Sequence, residues 1–296
     1  MVRVFGIYGP TASGKSDVAS ALAKLVAGEV VSVDALQAYR GLPILTNRSR
    51  HPERLVGIWS LEHEGSVGGF SRLAHVAIDT ILAAGRRAVV AGGTGLYLRG
   101  ALADMELPPA VEPAAHERWS MLYDRDPQAA HELLAELDPA AADIHPNDRR
   151  RVVRALELAE LGSTLRPHKP RLWSEETRHP TLLVGLDVAK PELDRRIEER
   201  TRRMFERGVE DEVRRALAGP IAQTARKALG LEEIASLSRD EALATIAART
   251  RRYAAYQRRW MRRIPGLVRI DADRPPDEVA AVIVALGRER ERLRRL

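Results

Sequence analysis

Val2-Arg3-Val4-Phe5-Gly6-Ile7-Tyr8, followed at once by Gly9-Pro10-Thr11-Ala12-Ser13-Gly14-Lys15-Ser16, is the stretch on which the fold turns. Residues 2–8 form an apolar run of strand length. Residues 17–27 carry apolar side chains at Val18, Ala21, Leu22, Leu25 and Val26, which is helical spacing. Strand, G-x-x-x-x-G-K-[ST] and helix in direct succession are the full context of a phosphate-binding loop. In such a loop backbone N–H groups converge on one concavity, and the helix N-terminus adds partial positive charge. Gly9 and Gly14 permit the turn, Lys15 supplies a formal charge, and Ser16 can place its hydroxyl on Mg²⁺. The motif points to a polyphosphate or pyrophosphate without choosing between them.

The rest of the composition bounds what this loop serves. A chain of 296 residues can bury one large core, or a core plus an inserted module. Its 45% hydrophobic content is that of a globular protein. It has no cysteine, so disulfides and thiolate metal sites are excluded. No run of about 18 apolar residues occurs, and the N-terminus enters a strand without the features of a signal peptide, so a cytoplasmic enzyme is expected. The net charge is +6, and only five of 47 basic residues are lysine, which leaves 42 arginines. They cluster at 149–154, 195–203 and 249–263. One reading is a phosphate-rich partner, RNA first. The other is solvated helix faces on which arginines pair with glutamates.

Outward from the loop, Glu29 to Val33 reads as a second strand ending at Asp34. A carboxylate at a strand's carboxyl end can bind metal, accept a proton or cap the following turn, and ligands bind at that edge in open α/β sheets. Residues 41–68 read as a long irregular loop in which His51 and His63 are loop residues. Phe70 to Ala84 has the apolar stripe of a helix. Arg87 to Ala91 is a third strand running into Gly92-Gly93-Thr94-Gly95-Leu96-Tyr97, a second glycine-rich turn. Thr94 there can bond a phosphate oxygen or cap the next helix. Residues 108–175 read as a helical insertion. Within it Asn147 or Asp148 can cap a helix on which Arg150 and Arg154 share a face, and Arg166 to Arg171 form a basic connector. Thr181 to Leu186 is a fourth strand. A long helical region follows, marked by Ile197, Arg200 and Met204 and broken near Gly208. Residues 240–263 form another helix, Leu267 to Asp271 a last strand, and Pro276 opens the closing helix. The expected fold is α/β, a P-loop-type parallel sheet flanked by helices. Residues 1–107 and 176–296 make the core, and 108–175 the insertion.

Five motifs in this order, G-P-T-A-S-G-K-S at 9–16, S-V-D-A-L-Q-A-Y-R-G at 32–41, A-G-G-T-G-L-Y at 91–97, I-H-P-N-D-x-x-R-V-V-R-A-L-E at 144–157 and T-R-x-Y-A at 250–254, resemble the tRNA dimethylallyltransferase family, the isopentenyl-tRNA transferases. The resemblance runs from residue 4 to about 270. It implies transfer of a dimethylallyl group from dimethylallyl diphosphate to N6 of the adenosine 3′ of a tRNA anticodon, with Mg²⁺ as cofactor; a monomer is expected. Gly9, Pro10, Thr11, Ala12, Ser13, Gly14, Lys15 and Ser16 carry over as the diphosphate loop, with Ser16 toward the metal. Asp34 carries over as general base, Thr94 as a residue at the mouth of the reaction channel, and Arg226 as a clamp on the leaving diphosphate. The tRNA contacts carry over to Asp34, Ala35, Leu36, Gln37, Thr94, Arg150, Arg151, Val152, Val153 and Arg154, with His116 nearest the family's arginine in the insertion. This chain departs from the family pattern after Tyr39, and again at Ala255-Tyr256, where a basic pair usually precedes the glutamine.

A kinase of a nucleotide or small metabolite would share the loop, Lys15, Ser16 and a carboxylate such as Asp34, but would leave the Gly-Gly-Thr-Gly turn and the basic helix unexplained. Prenylation of a free adenine nucleotide needs no arginine-rich insertion. An NTP-dependent RNA-binding module needs neither Asp34 nor Thr94.

Overall fold

The computed structural model describes residues 1–105, 108–109, 111–166 and 174–293. Leu107 and residues 167–171 of the basic connector lie outside the described residues. Five parallel strands, β1 (Val4–Tyr8), β2 (Gly28–Ser32), β3 (Arg87–Gly92), β4 (Thr181–Asp187) and β5 (Val268–Asp271), form one sheet in the order β2-β3-β1-β4-β5. Its helices are α1 (Lys15–Leu25), α2 (Val67–Ala83) and α3 (Gly95–Leu102), then α4 (Pro113–Arg125), α5 (Pro127–Leu137) and α6 (Arg149–Glu160). After β4 come α7 (Lys190–Glu206), α8 (Val209–Leu217), α9 (Gln223–Arg226), α10 (Leu231–Ser236), α11 (Arg239–Met261) and α12 (Pro276–Leu293). The chain divides into two units, residues 1–104 with 175–296, and residues 105–174.

In the first unit β1 is central and buried along its whole length, which is why it reads as a continuous apolar run rather than an alternating one. Its side chains still alternate between faces. Phe5 and Ile7 pack in one layer with Val18 and Leu22 of α1 and Val279 and Ile283 of α12. Val4 and Tyr8 pack in the other with Phe70 and Ile78 of α2 and Leu98 of α3. Register fixes the functional edge. Tyr8 pairs with Gly92, Ser32 with Ala91, and Val33 donates its N–H to Ala91 O at 2.8 Å. The turns after β1, β2 and β3 therefore leave the sheet side by side at its carboxyl edge.

The boundaries differ from the sequence reading where the turn chemistry is local. Helix α1 begins at Lys15, inside the loop motif, because Gly14 adopts the left-handed conformation (φ 82°) and turns the chain directly into the helix. Helix α2 begins at Val67, three residues earlier than its apolar stripe, because Ser66 caps it and accepts from the Gly69 N–H at 3.1 Å. The break in the later helical region falls at Gly208.

Between Asp34 and α2 the chain is irregular but not loose. Leu42, Leu45 and Trp59 are buried. Trp59 stacks on His63 at 4.6 Å and meets Tyr39 and Phe70 edge-on, and His51 Nε2 lies 3.0 Å from Asp17 Oδ1. The turn at 42–46 is pinned by the buried carboxylate of Glu212, which accepts from the N–H groups of Ile44 (2.9 Å) and Leu45 (2.8 Å). An amide presents only one acceptor oxygen there and aims N–H bonds at N–H donors. Glu212→Gln is expected to lower stability by about 2 kcal/mol, read from urea unfolding.

The second unit is helical, with α4, α5, a 3₁₀ turn at Pro139–Ala141, and α6 around a core that includes Tyr123, Leu134, Ile144 and Leu156. Asp148, not Asn147, caps α6, accepting from the Arg151 N–H at 3.2 Å. Val152 and Val153 are 0% and 2% exposed. Their side chains belong to this core and not to a tRNA-facing surface, which corrects their grouping with the arginines beside them.

Candidate active site

The loop at 9–16 is closed by its own groups. Ser13 donates its N–H to Pro10 O at 3.2 Å, and Lys15 Nζ folds back to Pro10 O at 2.7 Å. Ala12 holds a left-handed φ of 65°, a strained conformation for a residue with a side chain. The Ser13 hydroxyl is buried without a partner. Burial pushes the Lys15 ammonium down to about 8, with Asp34 acting against that and Arg200 with it. In the ligand-free protein Lys15 is thus charged below pH 8 and neutral above it. An anion's affinity for this loop should fall as the pH rises through about 8. Binding of inorganic pyrophosphate to the wild type between pH 7 and 9 is expected to weaken relative to Lys15→Met, by up to about tenfold per pH unit at the upper end.

Asp34 caps the turn that follows it, the third of its sequence readings. Its Oδ1 accepts from the N–H groups of Leu36 (3.0 Å) and Gln37 (3.4 Å), a cap on the turn after β2. Among the described residues no hydrogen bond reaches Oδ2, so that oxygen remains available to accept a proton. Gln37 donates to Thr46 O at 3.4 Å, and its Oε1 is buried without a partner. Ala35 is half-buried beside it.

Thr94 occupies the N-cap position of α3 without bonding the helix amides. Its hydroxyl lies 3.2 Å from the Tyr253 hydroxyl instead. Burial holds the Tyr253 phenol above its ordinary value, and Asp34 and Tyr256 act in the same direction. The glycines on either side of Thr94 are explained by α11. A Cβ on Gly93 would lie 2.3 Å from Gln257, and one on Gly95 2.2 Å from the Trp260 ring. Gln257 is buried and bridges both turns. Its Nε2 donates to Gly93 O at 2.8 Å, and its Oε1 accepts from the Thr11 N–H at 2.8 Å. Tyr8 donates its hydroxyl to Gln257 O at 3.1 Å.

Beside the loop lies a cavity of about 90 Å³. Thr11, Asp34, Arg200, Thr250 and Tyr253 give it polar lining; Leu36, Leu45, Met204, Ala228, Leu229 and Ile246 give it apolar lining. It is smaller than the ~150 Å³ cavity that holds a benzene ring, so it suits a group of a few carbons. Arg200, on α7, donates from Nη1 to Thr11 Oγ1 at 2.5 Å. Its Nε is buried without a partner. Burial pushes this guanidinium down to about 10, opposed by the nearby Asp34, so it remains charged at neutral pH.

The sequence reading placed the diphosphate clamp at Arg226. That side chain is half-exposed and donates to Glu232 Oε1 at 3.1 Å. The arginine that touches the loop is Arg200. Its signal was present: it stands on the α7 stripe between Ile197 and Met204, both buried, where a solvated arginine has no place. Gln257 and Tyr253 were likewise missed as site residues. In the second unit His116 Nδ1 lies 2.5 Å from Glu157 Oε1. Arg154 donates to Glu157 Oε2 at 2.8 Å and to Pro109 O at 2.6 Å. Arg151 is 3.5 Å from Asp148, and Arg150 is exposed with no ion pair among the described residues.

These features define an α/β protein in which a glycine-rich strand-to-helix turn carrying Lys15, a carboxylate and a small partly apolar cavity adjoin. The model of the IPP transferase family matches residues 37–264, and that of isopentenyl transferases matches residues 2–58. A tRNA dimethylallyltransferase of Streptomyces avermitilis is 40% identical over 280 residues, covering 89% of this chain and 88% of that one. One of Corynebacterium jeikeium is 36% identical, covering 97% and 96%. The crystal structure of the full-length tRNA isopentenylpyrophosphate transferase of Bacillus halodurans aligns with a TM-score of 0.71 at 29% identity over 100% of both chains. A eukaryotic dimethylallyltransferase acting on tRNA aligns with a TM-score of 0.76 at 25% identity, over 92% of this chain and 74% of that one. The chain belongs to the IPP transferase family, the tRNA dimethylallyltransferases. No described helix is long and apolar enough to cross a membrane.

Proposed function

We propose that this protein transfers a dimethylallyl group from dimethylallyl diphosphate to N6 of the adenosine 3′-adjacent to the anticodon of tRNAs, as a cytoplasmic monomer. One observation carries the reading: a single small cavity has a carboxylate able to accept a proton (Asp34), a half-buried cation (Arg200) and an apolar lining for the carbon skeleton, beside a glycine-rich loop that carries Lys15. The relatives named above are tRNA dimethylallyltransferases and tRNA isopentenylpyrophosphate transferases, which supports the transferase reading over a kinase.

The chemistry then follows. The diphosphate lies in the loop, against backbone N–H groups, Lys15, Arg200 and the unpartnered Ser13 hydroxyl. The target adenosine leaves its stack to present N6 beside Asp34 and Thr94. N6 bonds to the allylic carbon as the carbon–oxygen bond to the diphosphate breaks, the bonding pair leaves with the diphosphate, and the N6 proton passes to Asp34 Oδ2. Lys15 and Arg200 hold the charge that grows on the leaving oxygen.

The oxygen donors beside the loop fit Mg²⁺. Ser16 offers a hydroxyl and bonds the Glu53 carboxyl group, whose Oε1 is buried without a partner. Burial holds that carboxyl group above its ordinary value, eased by Ser49 and Ser16. Such a site suits a cation that keeps waters and takes phosphate oxygens as ligands. When bound, Mg²⁺ would neutralise charge on the diphosphate.

The test is incubation with radiolabelled dimethylallyl diphosphate, Mg²⁺ and unmodified tRNA. Label is expected in tRNA at one adenosine, with ATP left intact. Label moving to free nucleotides, or turnover of ATP without label in tRNA, would overturn the reading.

A further inference from the structure

Helix α11 sorts its arginines. Arg249 pairs with Glu233, Arg251 with Glu198, and Arg258 with Asp187 at 3.2 Å. Arg252 and Arg259 are exposed, and neither forms an ion pair among the described residues. Both stand on the helix face that carries Tyr256, at i−4 and i+3 from it. The Arg259 guanidinium lies 5.9 Å from the centre of the Tyr256 ring.

Tyr256 is also the middle member of an aromatic row. It stacks on Tyr253 at 6.4 Å with 20° between the ring planes, and meets Trp260 at 6.5 Å and 65°. Tyr253 and Tyr256, 37% and 47% exposed, are the two aromatic rings among the exposed large apolar side chains of the described residues. The row is anchored at the cavity. Tyr253 lines it beside Asp34 and meets the Thr94 hydroxyl, while Trp260 packs on Gly95 of the same turn.

An exposed ring flanked by cations without carboxylate partners matches the chemistry of a single-stranded polynucleotide, with a π-face for a base and guanidinium groups for the phosphates on either side. We infer that Tyr256, held between Tyr253 and Trp260 and flanked by Arg252 and Arg259, stacks an unpaired base next to the adenosine that reacts at Asp34. This rests on the proposed tRNA substrate and adds to it a holding surface outside the basic insertion helix. It also gives a role to the position at which this chain replaces a basic residue by tyrosine.

The test uses an anticodon-arm RNA hairpin with 2-aminopurine beside the target adenosine, titrated into the full-length protein without prenyl donor. Quenching on binding is expected for the wild type. Tyr256→Ala should weaken binding about tenfold and abolish the quenching, while Tyr256→Phe stays within about twofold. Arg259→Gln should lower the slope of log affinity against log salt by about one. Binding of pyrophosphate, measured in parallel, should be unchanged in all three. If the wild type binds the hairpin and Tyr256→Ala binds and quenches equally well, the stacking role is wrong and the tRNA reading stands. If the wild type binds no hairpin, both fall.

Discussion

In single-turnover transfer, Asp34→Asn is expected to be slower than the wild type by roughly two to four orders of magnitude. The substitution separates the two jobs of this side chain. An asparagine keeps an oxygen where Asp34 Oδ1 accepts from the Leu36 and Gln37 N–H groups, so the turn after β2 stays capped. What it removes is the oxygen able to take a proton from N6. Binding of tRNA and of donor should therefore stay within a few-fold of wild type, and thermal stability should hardly change. Asp34→Ala loses the cap as well, at about 1 kcal/mol, and would confuse the two effects. Transfer by Asp34→Asn at the wild-type rate would show that N6 loses its proton elsewhere.

Arg200→Leu is expected to reduce the transfer rate by roughly two to three orders of magnitude, as removal of one preorganised donor to a developing anion does elsewhere. The stability expectation runs the other way. Burial makes the charged guanidinium unfavourable in the ligand-free protein, which is why it is pushed down to about 10. A leucine, shorter and apolar, among Met204 and Ile246, removes that burden. Thermal unfolding without ligand should show a midpoint no lower than wild type, whereas stabilisation by added pyrophosphate should largely disappear. A lowered midpoint together with retained transfer would make Arg200 a packing residue. Arg226→Leu serves as the contrast. It breaks an exposed pair with Glu232 worth at most about 1 kcal/mol.

Much of the molecule could be read because its signals are local. The loop motif needs only the strand before it and the helix after it. The strands Arg87–Gly92 and Thr181–Asp187 are apolar runs bounded by turns, and the glycines of Gly92-Gly93-Thr94-Gly95 announce a close approach without saying what approaches. The rest depends on residues far apart in sequence. Arg200 meets Thr11 across 189 positions, and Gln257 meets Thr11 across 246. No spacing rule reaches that distance. The segment after Tyr39 was read as a loop because it lacks periodicity, although Glu212, 168 positions from Ile44, makes it an ordered wall of the cavity. Val152 and Val153 went wrong for the opposite reason. They stand between arginines in a short motif, and only the helical phase of α6 shows that they turn inward.

The Gln257 bridge has a thermodynamic consequence. One amide holds the loop turn at Thr11 and the glycine-rich turn at Gly93, and it stands on the helix that carries Tyr253 and Tyr256. Whatever shifts α11 must move both turns together. Occupancy of one side is then expected to change affinity on the other, and linkage requires that the two effects be equal in free energy. Pyrophosphate should tighten or loosen RNA by the same factor by which RNA tightens or loosens pyrophosphate, and severing the bridge should bring that factor toward one.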